Sequence, residues 1–444
     1  MLSRLMRFVP LAGLLILTLT LFTFHYLYRS IDSQPDWEIE PNTSPNPTPN
    51  PDPPIADLTT IAHSHSHHEL FSASTPDQRY FRIDFLSHLA INPSIIPHPT
   101  KPAVWIITAQ LHHNRTTTRD DSVWFAELVC NAIFQEDGRT LRCTAPPFIL
   151  PIAATDGNAA HCTDALAYFA LNIGPHDARV FYGPEAPYTV YGSNSAVTCF
   201  GQWILDFRVL VDWPASDVVV DRGFRRATEL QRPFMAPYFP VEKNWFVFWD
   251  IDGAPYAHYD VAPTRAFAQL APDGSVGPDL APAAASTDEE CLRRYLPPLN
   301  NPDQESIHQA TNSLALTLCE RADPRCQPND TNTVIITIFQ YKSFVSFHSV
   351  YEPYAMLFHQ RAPFELYGIS FKPLWIHGRE VSENEDGEQQ TEMMYVTSIS
   401  WKSPEQRYQG YLDDVMFLAF GRDDQATAGI DVVAGDLVGG LGVC

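Results

Sequence analysis

The sequence predicts an all-β protein. Short runs of aromatic and β-branched residues, such as "AVWIITAQ" (103–110) and "TVIITIFQY" (333–341), alternate with turn residues, and long amphipathic helical periods are absent. Aromatic residues make up 12% of the chain and prolines number 38, which suits a turn-rich β protein. So many short strands fit a sandwich, a barrel or a propeller, and strand pairs that recur around short turns favour the propeller.

An apolar stretch at 8–28 carries no formal charge and follows Arg4 and Arg7. A helix that crosses a bilayer needs about 20 apolar residues, whereas the apolar part of a cleaved signal peptide has about 7–15. Basic residues on the short side favour a cytosolic N-terminus. The sequence therefore predicts, in order, a cytosolic tail (1–7), a transmembrane signal-anchor (8–28), a Pro-rich lumenal stem (29–78) and a lumenal catalytic domain (79–444).

This order describes a single-pass type II protein of the Golgi or another secretory-pathway membrane. The stem contains "PNTSPNPTPNPDPP" (41–54), which favours extended, solvated backbone. Its "HSHSHHE" run (63–69) could bind a metal ion, but in such a segment we expect a solvated tract.

Two further features agree with a lumenal body. N-glycosylation sequons begin at Asn42, Asn114 and Asn329. The eight cysteines form an even set, as expected in an oxidising compartment. Cys130 with Cys143, and Cys319 with Cys326, are close enough in sequence to pair, although sequence leaves the connectivity open. No C-x-x-C motif occurs, which disfavours zinc or redox chemistry.

The charge balance excludes some partners. Asp and Glu number 52 against 29 Lys and Arg, for a formal charge of -23. Such a chain does not favour nucleic acid or anionic membrane surfaces, although a local basic pocket for a phosphate remains possible.

Six islands carry a resemblance to a known family. In chain order they are "INPSIIPHP…VWIITAQ" (91–110), "DARVFYG" (177–183), "ILDF" (204–207), "EKNWFVF" (242–248), "FHSVYEPYAMLF" (347–358) and "YQGYLDDVMFLAFG" (408–421). The series resembles the five-bladed β-propeller family of β-1,2-mannoside phosphorylases and mannosidases and the related eukaryotic β-mannosyltransferases. In layout the chain resembles a fungal Golgi type II transferase. The resemblance implies a five-bladed β-propeller over residues 79–444.

The resemblance also implies roles for particular residues. Asn92 and Ser94 match the family's sugar-contacting Asn-Pro-Ser, and Asp206 is the best match for its catalytic acid. Lys243 and Asn244 stand where the family binds phosphate. A further set matches its His-containing strand and its closing acidic motif: His348, Asp413 and Asp414.

The chain also departs from the family. Lys243 replaces an arginine and so loses the bidentate fork for phosphate oxygens. Ser349 replaces a glycine, and the family's Lys-Thr-x-x-Gly-Trp-Leu island has no counterpart. These departures argue against phosphorolysis with free phosphate.

We therefore expect a transferase that moves mannose or a similar hexose from a nucleotide sugar to a glycan acceptor by inverting single displacement, building β-linked mannan. Such a reaction needs a carboxylate base and a cradle for the leaving diphosphate. Asp206 is the first choice of base, with Asp177, Asp260, Asp413 and Asp414 in reserve, although an Asp at a strand end is more often a turn cap.

Lys243, Asn244 and Arg265 form the expected diphosphate cradle. His258, His348 and His377 are expected to bond sugar hydroxyls or phosphate, although a lone histidine among aromatic residues more often lies in the core. The remaining expected substrate-binding residues are Arg179, Glu242, Glu352 and Arg379.

Asp250–Ile251–Asp252 resembles the metal-binding Asp-x-Asp of other transferases. Asp252–Gly253 lies between two aromatic strands, which indicates a hairpin turn instead. We therefore expect no cofactor and no essential metal, a divalent ion being the less favoured alternative. A glycoside hydrolase or phosphorylase acting on β-mannosides, and a non-catalytic glycan-binding propeller, remain the alternative functions.

Overall fold

The computed structural model describes residues 66–112, 123–157, 159–214, 223–234, 236–345, 348–383 and 389–444. The predicted cytosolic tail, the predicted anchor and most of the predicted stem lie outside these ranges. Within them, no helix is both long enough and apolar enough to span a bilayer.

The regular secondary structure of the described chain is mostly strand, which confirms the all-β prediction. The strands are β1 His68–Leu70, β2 Phe81–Asp84, β3 Ala90–Pro97, β4 Trp105–Leu111, β5 Val123–Trp124, β6 Glu127–Phe134, β7 Thr140–Cys143, β8 Phe148–Ile149, β9 Asn172–Ile173, β10 His176–Tyr182, β11 Pro187–Asn194, β12 Phe200–Asp206, β13 Thr228–Glu229, β14 Phe246–Trp249, β15 Pro255–Asp260, β16 Ala266–Gln269, β17 Glu305–Gln309, β18 Leu314–Thr317, β19 Thr333–Val345, β20 His348–His359, β21 Leu366–Ser370, β22 Leu374–Ile376, β23 Val381–Glu383, β24 Gln389–Thr391, β25 Met394–Trp401, β26 Gln409–Tyr411, β27 Val415–Arg422, β28 Ala426–Val433 and β29 Leu441–Val443.

Helices are few. The α-helices are α1 Ala285–Tyr295 and α2 Ala434–Leu437, and the 3₁₀ turns are Ala159–His161, Asp164–Leu171, Phe207–Val209 and Ala281–Ala283.

Five antiparallel units follow one another along the described residues. Unit 1 is β3-β4-β6-β7, unit 2 is β10-β11-β12-β13 and unit 3 is β14-β15-β16. Unit 4 is centred on β18-β19-β20-β21, and unit 5 is β25-β27-β28. Strands β3, β10 and β25, which begin units 1, 2 and 5, pack against one another, and all three contribute to the wall of the pocket described below.

The first and last units belong to one sheet. Strand β2 pairs with β28 of unit 5 through Phe81 and Arg82, and also with β7 of unit 1 through Arg82 to Asp84. A strand from the N-terminal part of the described chain therefore completes the C-terminal unit.

The described part of the predicted stem packs on this body. Strand β1 pairs in parallel with β22, and Leu70 is buried. His67 contacts Glu352 at 3.1 Å, and Glu69 contacts His377 at 2.7 Å. The last residues of the His-rich run are thus paired with the body, in contrast to the solvated tract expected there.

Local predictions had mixed outcomes. The hairpin of β14 and β15 is confirmed, with Gly253 at φ +83° and its N–H bonded to the Asp250 carbonyl. The run "LALTLCERAD" (314–323) by itself suggests a short helix, but its first residues form β18 and pair with β19. The run "VSENEDGEQQTE" (381–392) by itself suggests a solvated loop, but its two ends form a hairpin of β23 and β24.

The core is aromatic and dry. Trp245, Phe248, Phe267 and Trp401 are each at most 2% exposed and belong to a cluster shared by units 3, 4 and 5. Burying a large apolar side chain contributes roughly 1.5–3 kcal/mol, so this cluster holds the units against one another.

Four disulfides stabilise the body. Both short-range pairings expected from the sequence, Cys130–Cys143 and Cys319–Cys326, are confirmed. Cys162 pairs with Cys199, and Cys291 of α1 pairs with Cys444.

Candidate active site

A cavity of about 270 Å³ opens where the five units meet. Every unit contributes to its wall, from strands or from the turns next to them. The lining residues are Asn92, Asp177, Arg179, Lys243, Asn244, His308, Tyr351, Tyr395, Thr397 and Asp424.

Three lining residues lie at points where the hydrogen-bonded pairing of their strand is irregular. The ladder register shifts across Asn92 in β3, across Asp177 in β10 and across Thr397 in β25. A bulge turns a side chain away from the regular alternation of a strand. Here three bulges on three units direct side chains into one cavity.

Four lining residues have left-handed backbone. The φ angles are 54° at Asn92, 51° at Asp177, 64° at Asn244 and 51° at Asp424. Asn and Asp tolerate this region better than other residues with a side chain, but it still costs free energy. Such conformations concentrate at functional sites, so the backbone itself marks the cavity.

Asp424 is presented by a tight turn between β27 and β28. Asp423 and Asp424 both have positive φ, and the Gln425 N–H bonds to the Arg422 carbonyl at 2.9 Å. This is the geometry of a two-residue hairpin turn that usually uses Asn-Gly or Asp-Gly. An Asp-Asp pair in this turn holds a carboxyl group at the cavity.

Hydrogen bonds fix the polar lining. Asn92 Nδ2 donates to Asp177 Oδ1 at 2.7 Å. The Arg179 guanidinium donates from one terminal nitrogen to Asn244 Oδ1 at 2.6 Å and from Nε to the Thr397 carbonyl at 3.1 Å. Contacts among residues of units 1, 2 and 5 and the turn before unit 3 therefore preorganise the cavity wall.

The surroundings of Asp424 perturb its carboxyl group. Burial raises the pKa of Asp424, and the charges of Asp177 and Asp423 raise it further, while His112 and Lys243 oppose the shift. Asp424 thus holds its proton to higher pH than an exposed aspartate does. The carboxylate oxygen Oδ1 of Asp177 accepts the hydrogen bond from the Asn92 amide.

Two histidines near the cavity are neutral at physiological pH. Burial, with Lys342 and Lys243 nearby, lowers the pKa of His308 to about 4. Burial is also the main reason that the pKa of His176, next to Asp177, falls to about 4. His308 therefore offers the cavity an uncharged ring.

Glu127 lies behind the cavity and is fully buried. The Ala178 N–H donates to its Oε1 at 3.1 Å, while its Oε2 has no hydrogen-bond partner among the described residues. Burial raises the pKa of Glu127 well above its usual value, and Asp177 adds to the shift. Behind the strand that carries Asp177, Glu127 therefore holds its proton to higher pH than an exposed glutamate does.

Five residues expected from the sequence line this cavity together: Asn92, Asp177, Arg179, Lys243 and Asn244. Five others were missed: His308, Tyr351, Tyr395, Thr397 and Asp424. Tyr351 lies inside one of the resemblance islands. A signal for Asp424 was available in "GRDDQA" (421–426). There two adjacent aspartates occupy the turn position between two strands, where glycine is usual.

Asp206, the first choice of catalytic base, does not line the cavity. It is 1% exposed, and both carboxylate oxygens accept hydrogen bonds from Arg208, at 2.7 Å for the closest. Its Oδ1 also accepts from the Arg208 backbone N–H, which caps a 3₁₀ turn. Asp206 is therefore a buried ion-pair partner and turn cap.

Ser94 is also buried outside the lining. Its hydroxyl accepts a hydrogen bond from the Val180 N–H at 3.2 Å, so it ties β3 to β10.

Glu242 and Asp260 belong to one structural cluster. Arg232 donates to Glu242 at 2.7 Å and to Asp260 at 2.6 Å. Glu242 also accepts from the Trp245 indole and from the Phe239 N–H. This cluster fixes the segment that leads to Lys243.

His258 and Arg265 lie in the core of unit 3. His258 is fully buried and stacks on Phe246, and it contacts Gln309 through Nδ1 at 2.5 Å. Arg265 pairs with Asp288 at 2.8 Å. Burial is the main cause that lowers the pKa of His258 well below its usual value. Neither residue lines the cavity, so the expected diphosphate cradle does not form.

Asp413 and Asp414 both engage the segment around Arg321. Asp414 pairs with the Arg321 side chain at 2.6 Å, while Asp413 accepts hydrogen bonds from the Arg321 and Ala322 N–H groups. These carboxylates therefore organise a turn away from the cavity.

The remaining expected residues support the cavity from outside. Arg379 pairs with Glu352 at 3.3 Å and donates to the carbonyl of Tyr351, a lining residue. His348 contacts the Thr391 carbonyl at 2.8 Å, and His377 contacts Glu69.

In the described ranges, no group of three or more His, Cys, Asp or Glu side chains has a metal-binding arrangement. Asp250 instead caps its own turn, because its Oδ1 accepts hydrogen bonds from the N–H groups of Asp252 and Ala254.

Comparisons with known proteins extend this picture only at the level of structure. No protein-family model matches the sequence, and no curated protein sequence matches it. A β-1,2-mannobiose phosphorylase from Listeria innocua is similar, with a TM-score of 0.43 and 11% identity over 83% of this chain and 96% of that one.

Two arabinan-type enzymes are also similar. An endo-arabinase from Bacteroides thetaiotaomicron aligns with a TM-score of 0.32 and 11% identity over 80% of this chain and 96% of that one. An α-L-arabinofuranosidase from Lactobacillus brevis aligns with a TM-score of 0.34 and 10% identity over 78% and 90%.

The prediction of a transferase that uses a nucleotide sugar is wrong. The similar solved structures are named as glycoside hydrolases and a phosphorylase.

Proposed function

We propose that the protein is a glycoside-cleaving enzyme whose active site is the cavity at the meeting of the five units. The observation that carries this proposal is the pairing of Asp424, a carboxyl group with a raised pKa, with Asp177, a second carboxyl group in the same cavity. Cleavage of a glycosidic bond needs one carboxyl group to protonate the leaving oxygen and a second group to act on the other partner.

In this proposal Asp424 is the general acid. Because its pKa is raised, Asp424 keeps the proton that a general acid donates up to a higher pH than an exposed aspartate does. Asp177 is the complementary carboxylate, held in place by the Asn92 amide, and it activates the attacking group. Each role falls to a residue on strained backbone, where the geometry is fixed before substrate arrives.

The rest of the lining suits a sugar ring. The amide of Asn244 and the phenols of Tyr351 and Tyr395 offer neutral donors and acceptors, and Arg179 offers a fixed cation. Sugar hydroxyls both donate and accept, so they match such a mixed wall. The cavity volume accommodates one or two sugar residues.

The attacking group is water in the main proposal. Phosphate is the second candidate, because Arg179 and Lys243 place two cations on one side of the cavity. Lys243 is a point charge without the bidentate geometry of an arginine, which favours water.

The wider architecture belongs to the same proposal. We take the five antiparallel units as the five blades of a β-propeller. The four disulfides favour an oxidising compartment, and the apolar stretch at 8–28 remains our candidate for an anchor with a lumenal body on the stem after it.

The test is a cleavage assay of the purified full chain. β-1,2-Mannobiose, xylobiose and arabinobiose are each incubated with and without inorganic phosphate, and free sugar and sugar phosphate are measured. We expect free sugar without phosphate, lost in Asp424→Asn. Sugar phosphate would select the phosphorylase alternative, and no product from any substrate would overturn the proposal.

A further inference from the structure

A disulfide-pinned segment borders the cavity on the side of unit 2. The 3₁₀ turn Asp164–Leu171 follows Cys162, which pairs with Cys199. Phe169 is the buried residue of this turn and packs against Phe200, with ring centroids 5.1 Å apart. The segment is thus fixed to the start of β12 at two points.

This segment carries an exposed aromatic ring. Tyr168 is 55% exposed and contacts the neighbouring Phe169 ring, with centroids 4.3 Å apart and a tilted interplanar angle of 30°. Contact with a buried ring restricts the Tyr168 side chain, while more than half of the residue remains accessible to solvent. An accessible tyrosine offers both an apolar ring and a polar hydroxyl, and its position close to the cavity is what suggests a ligand contact.

A chain of contacts connects Tyr168 to the cavity. The Lys243 ammonium lies 5.8 Å from the Phe169 ring centroid and 5.5 Å from that of Phe200. Lys243 also lines the cavity. The Tyr168 ring centroid is therefore no more than about 10 Å from a cation of the active site, which is within reach of a glycan that extends out of the cavity.

We propose that Tyr168 is a sugar-stacking platform that binds the extension of a glycan whose reacting end occupies the cavity. This proposal rests on the proposed function for the position of the reacting end, and it makes the preferred substrate an oligosaccharide. The apolar face of a pyranoside ring matches the open face of Tyr168, and Lys243 is placed to bond hydroxyls of the sugar between platform and cavity.

The test compares substrates of two lengths. We measure how the full chain cleaves β-1,2-mannobiose and β-1,2-mannotetraose. The proteins compared are wild type, Tyr168→Ala, Tyr168→Phe and the control Phe371→Ala. Phe371 is another exposed aromatic residue, 69% accessible, and it does not line the cavity. We expect Tyr168→Ala to raise KM for the tetrasaccharide about three- to tenfold and to leave the disaccharide unchanged.

Tyr168→Phe keeps the ring and should match wild type, as should Phe371→Ala. Equal effects of Tyr168→Ala on both substrates, or no effect on either, would overturn the platform. If wild type cleaves neither sugar, the proposed function fails for these substrates. Tetrasaccharide binding, measured by saturation-transfer NMR, then tests the Tyr168 platform on its own. Binding weakened in Tyr168→Ala supports the platform; unchanged or absent binding overturns it.

Discussion

Asn92 and Asp177, 85 positions apart in the sequence, meet at the cavity through a 2.7 Å hydrogen bond from the Asn92 amide to the Asp177 carboxylate. Both residues have left-handed backbone and interrupt the ladder of their strand. Unit 1 therefore sets the orientation of a proposed catalytic group that unit 2 carries.

Asn92→Ala should lower kcat about 10- to 100-fold, because Asp177 loses the group that orients it. Kinetics on the substrate found in the cleavage assay, with circular dichroism to verify folding, would measure this. Asn301→Ala is the matched control, since the amide of that exposed asparagine bonds to Gln304 outside the cavity. An unchanged kcat in Asn92→Ala would remove Asn92 from the positioning role.

Two neighbouring carboxyl groups in one turn allow a sharp comparison. Asp424 lines the cavity, whereas Asp423 accepts a hydrogen bond from the Met393 N–H at 3.0 Å and does not line it. Asp424→Asn should reduce kcat at least about 100-fold, as expected for loss of a general acid. Asp423→Asn retains an acceptor oxygen and should keep activity within about threefold of wild type. The reverse order of effects would assign the acid to Asp423.

The pH dependence follows from the charges around Asp424. A general acid works while protonated, so kcat should fall as pH rises through the Asp424 pKa, which burial and Asp177 raise. Lys243 acts in the opposite direction, so Lys243→Met should raise this pKa further and move the basic limb of the kcat profile to higher pH. A limb that stays in place would show that another group controls it.

Glu127 should make stability fall as pH rises. Its folded pKa is raised by burial, so above the unfolded value near 4.5 the folded protein binds more protons than the unfolded chain. The contribution is fully present below that unfolded value and is lost as pH rises through the folded pKa. Glu127→Gln mimics the protonated form, and its melting temperature should depend less on pH from about pH 5 upward. Parallel curves for variant and wild type would contradict this.

Arg232 should be among the most sensitive positions for stability. It is buried between Glu242 and Asp260, and Arg232→Met would leave two carboxylates without their cation. Breaking such a buried pair costs about 3–5 kcal/mol, measured by denaturant unfolding. Arg293→Met removes an exposed ion pair on α1 and should leave the unfolding midpoint unchanged. Similar midpoints for the two variants would show that the Arg232 cluster is not stabilising.

The fold class was predictable from local patterns. Aromatic and β-branched runs separated by turn residues identify the strands, and Asp252–Gly253 identifies one hairpin. The segment 314–323 suggested a helix because its apolar residues suit either a helix or a strand. Its first residues form a strand because they pair with β19. Helix α1 was missed because "ASTDEECLRRY" has few apolar residues.

The site residues were predictable only where they lie within one of the sequence motifs. Asn92, Asp177, Lys243 and Asn244 were expected for this reason and lie together. Asp206 was favoured because its Asp-Phe island best matches the catalytic acid of the family that the sequence resembles, but Arg208, two positions later, forms a buried ion pair with it. Asp424 was missed because its role depends on a turn that places its side chain in a cavity formed by several units. No local sequence pattern indicates such a long-range arrangement.

The pairing of β2 with both β28 and β7 has a consequence for biosynthesis. A ribosome releases the chain from its N-terminal side, so β2 emerges long before residues 426–433, its partners in unit 5. Units 1 to 4 can pair their own strands during translation, but the sheet that joins the first unit to the fifth must wait until residues 426–433 have been synthesised. Until then the β28-facing edge of β2 is unpaired, and an unpaired edge is one to which foreign strands can add.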